Sequence, residues 1–114
     1  MGVKIFCNNI EILDVKNSIF TCIYNNMNHH AENLSLELPD NLQQLIIQLY
    51  AATHGIGLDI ADYLKNKNEV LAFANLVRFA IEKEQASSYP FNEEAEKALE
   101  NFYQSIIHYS KELS

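Results

Sequence analysis

Hydrophobic spacing organises most of this chain into helices. In NLQQLIIQLYAATH (41–54), Leu42, Leu45, Ile46 and Leu49 form one stripe, and Ile47, Tyr50 and Ala51 widen it around most of the circumference. Such a helix is expected in the core. Its start carries a capping pattern in which Asp40, after Pro39, accepts from free backbone N–H groups and Gln43 reaches back. Its end is marked by Gly55, with Ile56 placed to close a Schellman cap. LDIADYLKN (58–66) predicts a short amphipathic helix with Leu58, Ala61 and Leu64 inward. Asn68 serves as N-cap of the next helix, with Glu69 in its first turn and an end near residue 84. The polar face of that helix is narrow, made of Asn75, Arg78 and Glu82. The last helix starts at Asn92 and buries Ala95, Leu99, Phe102, Ile106 and Tyr109 at i, i+3/i+4 spacing.

The first 39 residues carry two competing patterns. Asn8 followed by Glu11 resembles a capping box, and Ile12, Val15, Ile19 and Ile23 keep helical spacing over four turns. SIFTCIY is rich in β-formers, however, and LSLEL at 34–38 alternates with period two. Helix is favoured because its spacing persists longer. The expected fold is therefore mostly α: a compact single-domain helical bundle of about 5–6 helices spanning 1–114. The alternative is α+β, with a small N-terminal β-meander in residues 3–38.

Composition agrees with one helical domain. The chain has 114 residues, 48% of them hydrophobic, which is enough to bury roughly two-thirds of its unfolded surface. Three Gly and two Pro are too few for a turn-rich sandwich or barrel. The start, MGVKIFCNN, has an apolar run too short for a secretory leader, and Phe6 stands where a myristoylation signal wants Ser or Thr. No segment approaches the length of a membrane span. The expectation is a cytoplasmic protein with no membrane partner and with Cys7 and Cys22 as free thiols.

Charge changes the picture more. The formal net charge is −7, and no Lys or Arg lies between Lys16 and Lys65, while Glu32, Glu37, Asp40, Asp59 and Asp62 fall in that interval. From Asn92 onward, five glutamates face two lysines. Direct nucleic-acid binding, which rests on clustered Lys and Arg, is not expected. A basic protein partner is.

Candidate chemistry is sparse. His29 and His30 are adjacent and point to different sides of a helix or strand, so they do not suit one metal ion with Glu32. His108 and Glu112 form only a surface i, i+4 pair. His54, Asp59 and Asp62 cluster around a glycine turn without a hydrolase spacing, and His54 suits a helix C-terminus. Cys7 and Cys22 lack the second pair a zinc ribbon needs, and GIG at 55–57 lacks the rest of a phosphate loop. No catalytic set, metal or cofactor is expected.

Surfaces remain. In the last helix, Glu93 and Glu94 favour the helix N-terminus by about 0.3–1 kcal/mol each, and Glu93 can pair with Lys97. Glu96 and Glu100 lie four apart on one face, a like-charge arrangement that helix formation does not explain. Tyr89 and Phe91 bracket Pro90 just upstream, an aromatic anchor beside an acidic patch.

Ser88-Tyr89-Pro90 beside this carboxylate-bearing helix, in a small acidic domain, resembles bacterial immunity proteins. These neutralise secreted nuclease toxins of the colicin and contact-dependent growth inhibition kinds. In the nuclease-colicin group a Tyr-Tyr-Pro motif and nearby acids bind the toxin. Here Ser88 replaces the first Tyr. The resemblance implies a cognate toxin with a basic surface, bound through Tyr89, with Glu93, Glu96 and Glu100 as specificity acids; the free protein is expected to be a monomer rather than an oligomer. Phe91, Glu37, Asp40, Asp59 and Asp62 complete the expected partner-binding set. The second reading is a homo-oligomeric adaptor or regulatory interaction protein in which the helices at 41–54 and 68–84 share a core between subunits.

Overall fold

The computed structural model describes residues 2–33, 37–55, 57–88 and 90–113. The chain opens with a hairpin of strands β1 (Gly2–Cys7) and β2 (Ile10–Lys16), then runs into helix α1 (Asn17–Asn33). Helix α2 (Asp40–Ala52) follows, then a two-residue strand β3 (Leu58–Asp59) leading into a 3-10 turn at Ile60–Asp62. Helices α3 (Lys67–Gln85) and α4 (Glu93–Glu112) complete the described chain. The sheet order is β2-β1-β3, with β1 antiparallel to β2 and parallel to β3.

The N-terminal segment corrects the expected helix. Asn8 and Asn9 do not cap a helix; both have positive φ, 53° and 67°, as a type I′ two-residue hairpin turn requires. Asn is among the residues that tolerate this conformation best, and the turn fixes the pairing Cys7↔Ile10. The meander alternative is right for the hairpin at residues 2–16 and wrong for 17–33. SIFTCIY lies in α1, where Phe20, Ile23, Met27 and Ala31 are buried at i, i+3/i+4 spacing and packing overrides β propensity. Leu34, Ser35 and Leu36 of the alternating LSLEL segment lie outside the described residues. Ile12 is the extra residue of a bulge, because Ile5 pairs with Leu13 while Phe6 pairs with Glu11. The bulge turns Glu11 and Asp14 to the same exposed face and leaves Leu13 and Val15 buried.

Four α-helices stand among the described residues, fewer than the five or six expected, because 58–66 forms β3 and a 3-10 turn instead of a helix. Asp59 causes this. Its carboxylate accepts from Ala61 N at 2.9 Å to cap the 3-10 turn, and its backbone pairs with Phe6. Two other ends differ. The α2 backbone begins from the Pro39 carbonyl without a side-chain cap, and Gln43 Nε2 donates to Leu38 O at 2.8 Å. The cap of α3 is Asn66, two residues before the expected Asn68, in a capping box with Glu69. The chain leaves α2 through Gly55 at φ 88°; Ile56 lies outside the described residues.

Helix α3 is the central element. Val70, Phe73, Ala74, Leu76, Val77, Ala80 and Ile81 are buried along it, against α1 on one side and α4 on the other. Phe73 meets Phe102 edge-to-face at 6.2 Å, and all five residues expected to be buried in α4 are buried. Val3, Ile5, Cys7, Leu13 and Val15 supply the sheet's share of the core. Glu69 is 7% exposed, and its carboxylate accepts from Lys65 N, Asn66 N and Asn41 Nδ2. It thereby ties the start of α2 to the start of α3, both carboxylate oxygens meeting a donor as burial demands.

Candidate functional site

The α3–α4 pair sets the geography. Arg78 Nη2 donates to Glu100 Oε2 at 2.6 Å, and Phe73 packs on Phe102, so the two helices run antiparallel. The start of α4 therefore lies beside the end of α3. The start of α2 lies at the other end, where Asn41 bonds Glu69. Positions 69 and 85 are separated by about 24 Å along α3. Asp40 and Glu93 thus occupy opposite ends of the molecule, and the expected acids do not form one face.

At the first end, Asp59 is absorbed by the fold. It accepts from Asn8 N at 3.0 Å and Asn9 N at 2.8 Å as well as from Ala61 N, so it clamps the hairpin turn to the 3-10 turn. Asp62, Asp40 and Glu37 are exposed. His54 is exposed, its Nδ1 within hydrogen-bond distance of Thr53 Oγ1 and Tyr50 O, and it lines no described cavity with Asp59 or Asp62.

At the second end, Asn92 caps α4 as expected, accepting from Ala95 N at 2.8 Å. Glu93 and Glu94 are exposed and Glu96 is half-buried. None of the three forms an ion pair among the described residues, and the anticipated Glu93–Lys97 contact is not made. Phe91 is half-buried and packs on the core, so it is a fold contact more than a free anchor. Tyr89 lies outside the described residues.

Glu100 is not unpaired. Arg78 binds it, lies 4.0 Å from the centre of the Tyr103 ring, and holds the Glu100 carboxyl below the usual carboxylate range. The hydrogen bond from Arg78 is the main cause, with partial burial opposing it. Glu82, one turn after Arg78, and Glu96, one turn before Glu100, lie on the same helix faces as that pair. Glu84 and Lys83 lie at the same end of α3, and Glu94 borders a small depression with Asp14 and Lys16. Five glutamates (82, 84, 93, 94 and 96) therefore lie at this end of the molecule, Glu84 on the α1 side near Cys22 and Glu94 on the β2 side, with no ion pair to Lys83 or Lys97 among the described residues. Sequence reasoning missed Glu82, Glu84 and Glu94 as members of this patch. The spacing of Arg78 and Glu82 on one narrow polar face was the available signal.

A groove of about 590 Å³ opens between the hairpin and the C-terminal half of α4, lined by Ile10, Ile12, Ile107 and Tyr109 among others. None of the eight expected partner-binding residues that are described lines it. Cys7 borders it with the thiol pushed up to about 11, chiefly by burial and further by Asp59 and Glu112, so it is no nucleophile at neutral pH. Tyr109 Oη donates to Leu64 O at 2.9 Å. His30 stacks on Phe79 at 3.8 Å, and His108 Nε2 lies 3.2 Å from Glu112 on the surface. Among the described residues, no three His, Cys, Asp or Glu side chains are grouped to hold a metal ion. No described helix is long and apolar enough to cross a membrane.

Compared with known protein families, curated proteins and solved structures, the chain matches none of them.

Proposed function

We propose that this chain is an immunity protein: it binds a cognate basic toxin, in particular a nuclease, and covers its substrate-binding surface. The observation that carries the reading is the α3–α4 corner. Glu82 and Glu96 lie one turn beyond the Arg78–Glu100 pair on their helices, Glu93 follows on the same face of α4, and Glu84 and Glu94 extend the acidic end toward α1 and β2, with no ion pair to any of the five among the described residues. Neighbouring like charges cost a fold a few tenths of a kcal/mol. They are well suited to a partner that brings Lys and Arg, since a nucleic-acid-binding surface must carry them. Carboxylates there mimic the phosphates such a toxin grips.

Relative to the sequence reading, the binding set narrows and moves. Glu93 and Glu96 stay in it, Glu82, Glu84 and Glu94 join, and Glu100 contributes through its pairing with Arg78. Asp59 leaves it. The test is to mix the purified protein with the protein encoded beside its own gene. The expected result is a one-to-one complex in which the neighbour's nuclease activity is abolished. A neighbour that neither binds nor is inhibited removes the reading.

A further inference from the structure

The widened stripe of α2 is not buried. Leu42, Leu45, Ile46 and Leu49 face the core, but Ile47 is 61% exposed and Tyr50 57% exposed, two of the largest exposed apolar side chains described. Tyr50 continues a row of rings: Tyr24 of α1 lies 6.2 Å from it and His54 4.8 Å. Gln44 and Gln48 are exposed on either side of Ile47. Aromatic, apolar and amide side chains together have the composition of an interface core with a polar rim.

Charge says what covers it. Residues 41–58 contain no Asp, Glu, Lys or Arg, in a chain of net charge −7. A basic partner steered by the acidic corner finds Asp40 as the one carboxylate of this helix. Two copies of the same acidic chain repel wherever their carboxylates approach, and an antiparallel contact here keeps the two Asp40 side chains at opposite ends, each opposite His54 of the second copy. The geometry points to α2 as a self-association surface, with a second copy of this chain as its occupant. An antiparallel two-fold centred on Ile47 sets the two Ile47 side chains against each other and Gln44 opposite Tyr50 of the second copy. Such a contact is isologous and closes at two copies. A helix of 13 residues is about 20 Å long, so the contact is smaller than the roughly 800 Å² per partner of a standard interface, and the dimer is reversible. Helix α3 takes no part, because its apolar residues are consumed inside the chain. The proposal does not rest on the toxin reading.

Sedimentation equilibrium over a range from about 5 µM to 1 mM, the regime of small reversible interfaces, tests it. The wild type is expected to rise from 13.1 kDa toward twice that mass. Ile47→Glu and Tyr50→Glu are each expected to raise the dissociation constant by about tenfold or more, with the far-UV circular dichroism unchanged, because both side chains are already in solvent in the monomer. Glu82→Gln/Glu96→Gln should dimerise as the wild type does. A wild type that stays at 13.1 kDa throughout overturns the proposal, even if Ile47→Glu weakens binding to another protein. A dimer that Ile47→Glu and Tyr50→Glu both leave intact overturns it equally.

Discussion

Removing the Asp59 carboxylate separates a fold residue from a binding residue. Asp59→Ala deletes three hydrogen bonds at once: the cap on Ala61 N and the two bonds from Asn8 N and Asn9 N. Loss of a cap costs about 1 kcal/mol. Each bond to the turn stabilises by about 0.5–1 kcal/mol, kept at the low end because the turn amides are exposed and water can replace the carboxylate. The sum is about 2–3 kcal/mol. With an unfolding entropy of about 2.1 cal/mol/K per residue over 114 residues, the midpoint should fall by roughly 8–12 °C. Thermal unfolding followed by circular dichroism measures the shift. Hydrogen exchange at the Asn8 and Asn9 amides should rise more than at Leu99, which lies in the core. Asp62→Ala is the control, since Asp62 is exposed and should stay within about 0.5 kcal/mol. An Asp59→Ala protein as stable as the wild type, yet unable to bind its partner, would refute the reasoning and return Asp59 to the interface.

Two further outcomes follow from the side-chain environments. Arg78 lowers the Glu100 carboxyl below its ordinary value of 4.5, so the pair stabilises the fold above that value and the contribution is lost as pH falls through the lower folded value. With side chains 27% and 47% exposed, the pair is screened and worth about 0.5–1 kcal/mol; Glu100→Gln should cost that much at pH 7 and nothing at pH 2, measured by urea unfolding at both. The two thiols should also part company. Cys22 is exposed and its thiol is pushed up less, by burial and Glu84, whereas Cys7 is 8% exposed with its thiol pushed up to about 11, so a thiol reagent at pH 8 should label Cys22 about tenfold or more faster; equal rates in the folded protein would mean that the hairpin opens readily.

The later helices were readable because each buries one stripe whose spacing nothing else imitates. Ala95, Leu99, Phe102, Ile106 and Tyr109 could only be a helix face, and Asn92 has the side chain a helix start needs. The hairpin hid behind an ambiguity of period. Ile12 and Val15 belong to a strand while Ile19 and Ile23 belong to α1, and the bulge at Ile12 broke the strict alternation that would have separated them. Asn8-Asn9 was the missed signal, two residues that tolerate positive φ between runs of β-formers. β3 could not be read at all, because its two residues are extended only through pairing with Phe6 and Ile5, over fifty positions away. The same limit applied to the site. Helix-start chemistry accounts for Glu93 and Glu94 whatever the tertiary fold, but the placement of Glu82 at the same end as Glu96, and the capture of Glu100 by Arg78, depend on how α3 packs on α4.

The account's central claim is that the α3–α4 corner steers a basic partner. Its most direct measurement is the stopped-flow association rate with the protein encoded beside its gene, taken from about 10 mM to 150 mM salt, over which the screening length falls from about 30 to 8 Å. For the wild type the rate should approach roughly 10⁸ M⁻¹s⁻¹ at low salt and fall steeply as salt rises. Glu82→Gln/Glu96→Gln should associate about 3–10-fold more slowly at low salt, with a shallower salt dependence and little change in dissociation or stability. A wild-type rate indifferent to salt, or a double variant that associates as fast as the wild type, would contradict the account.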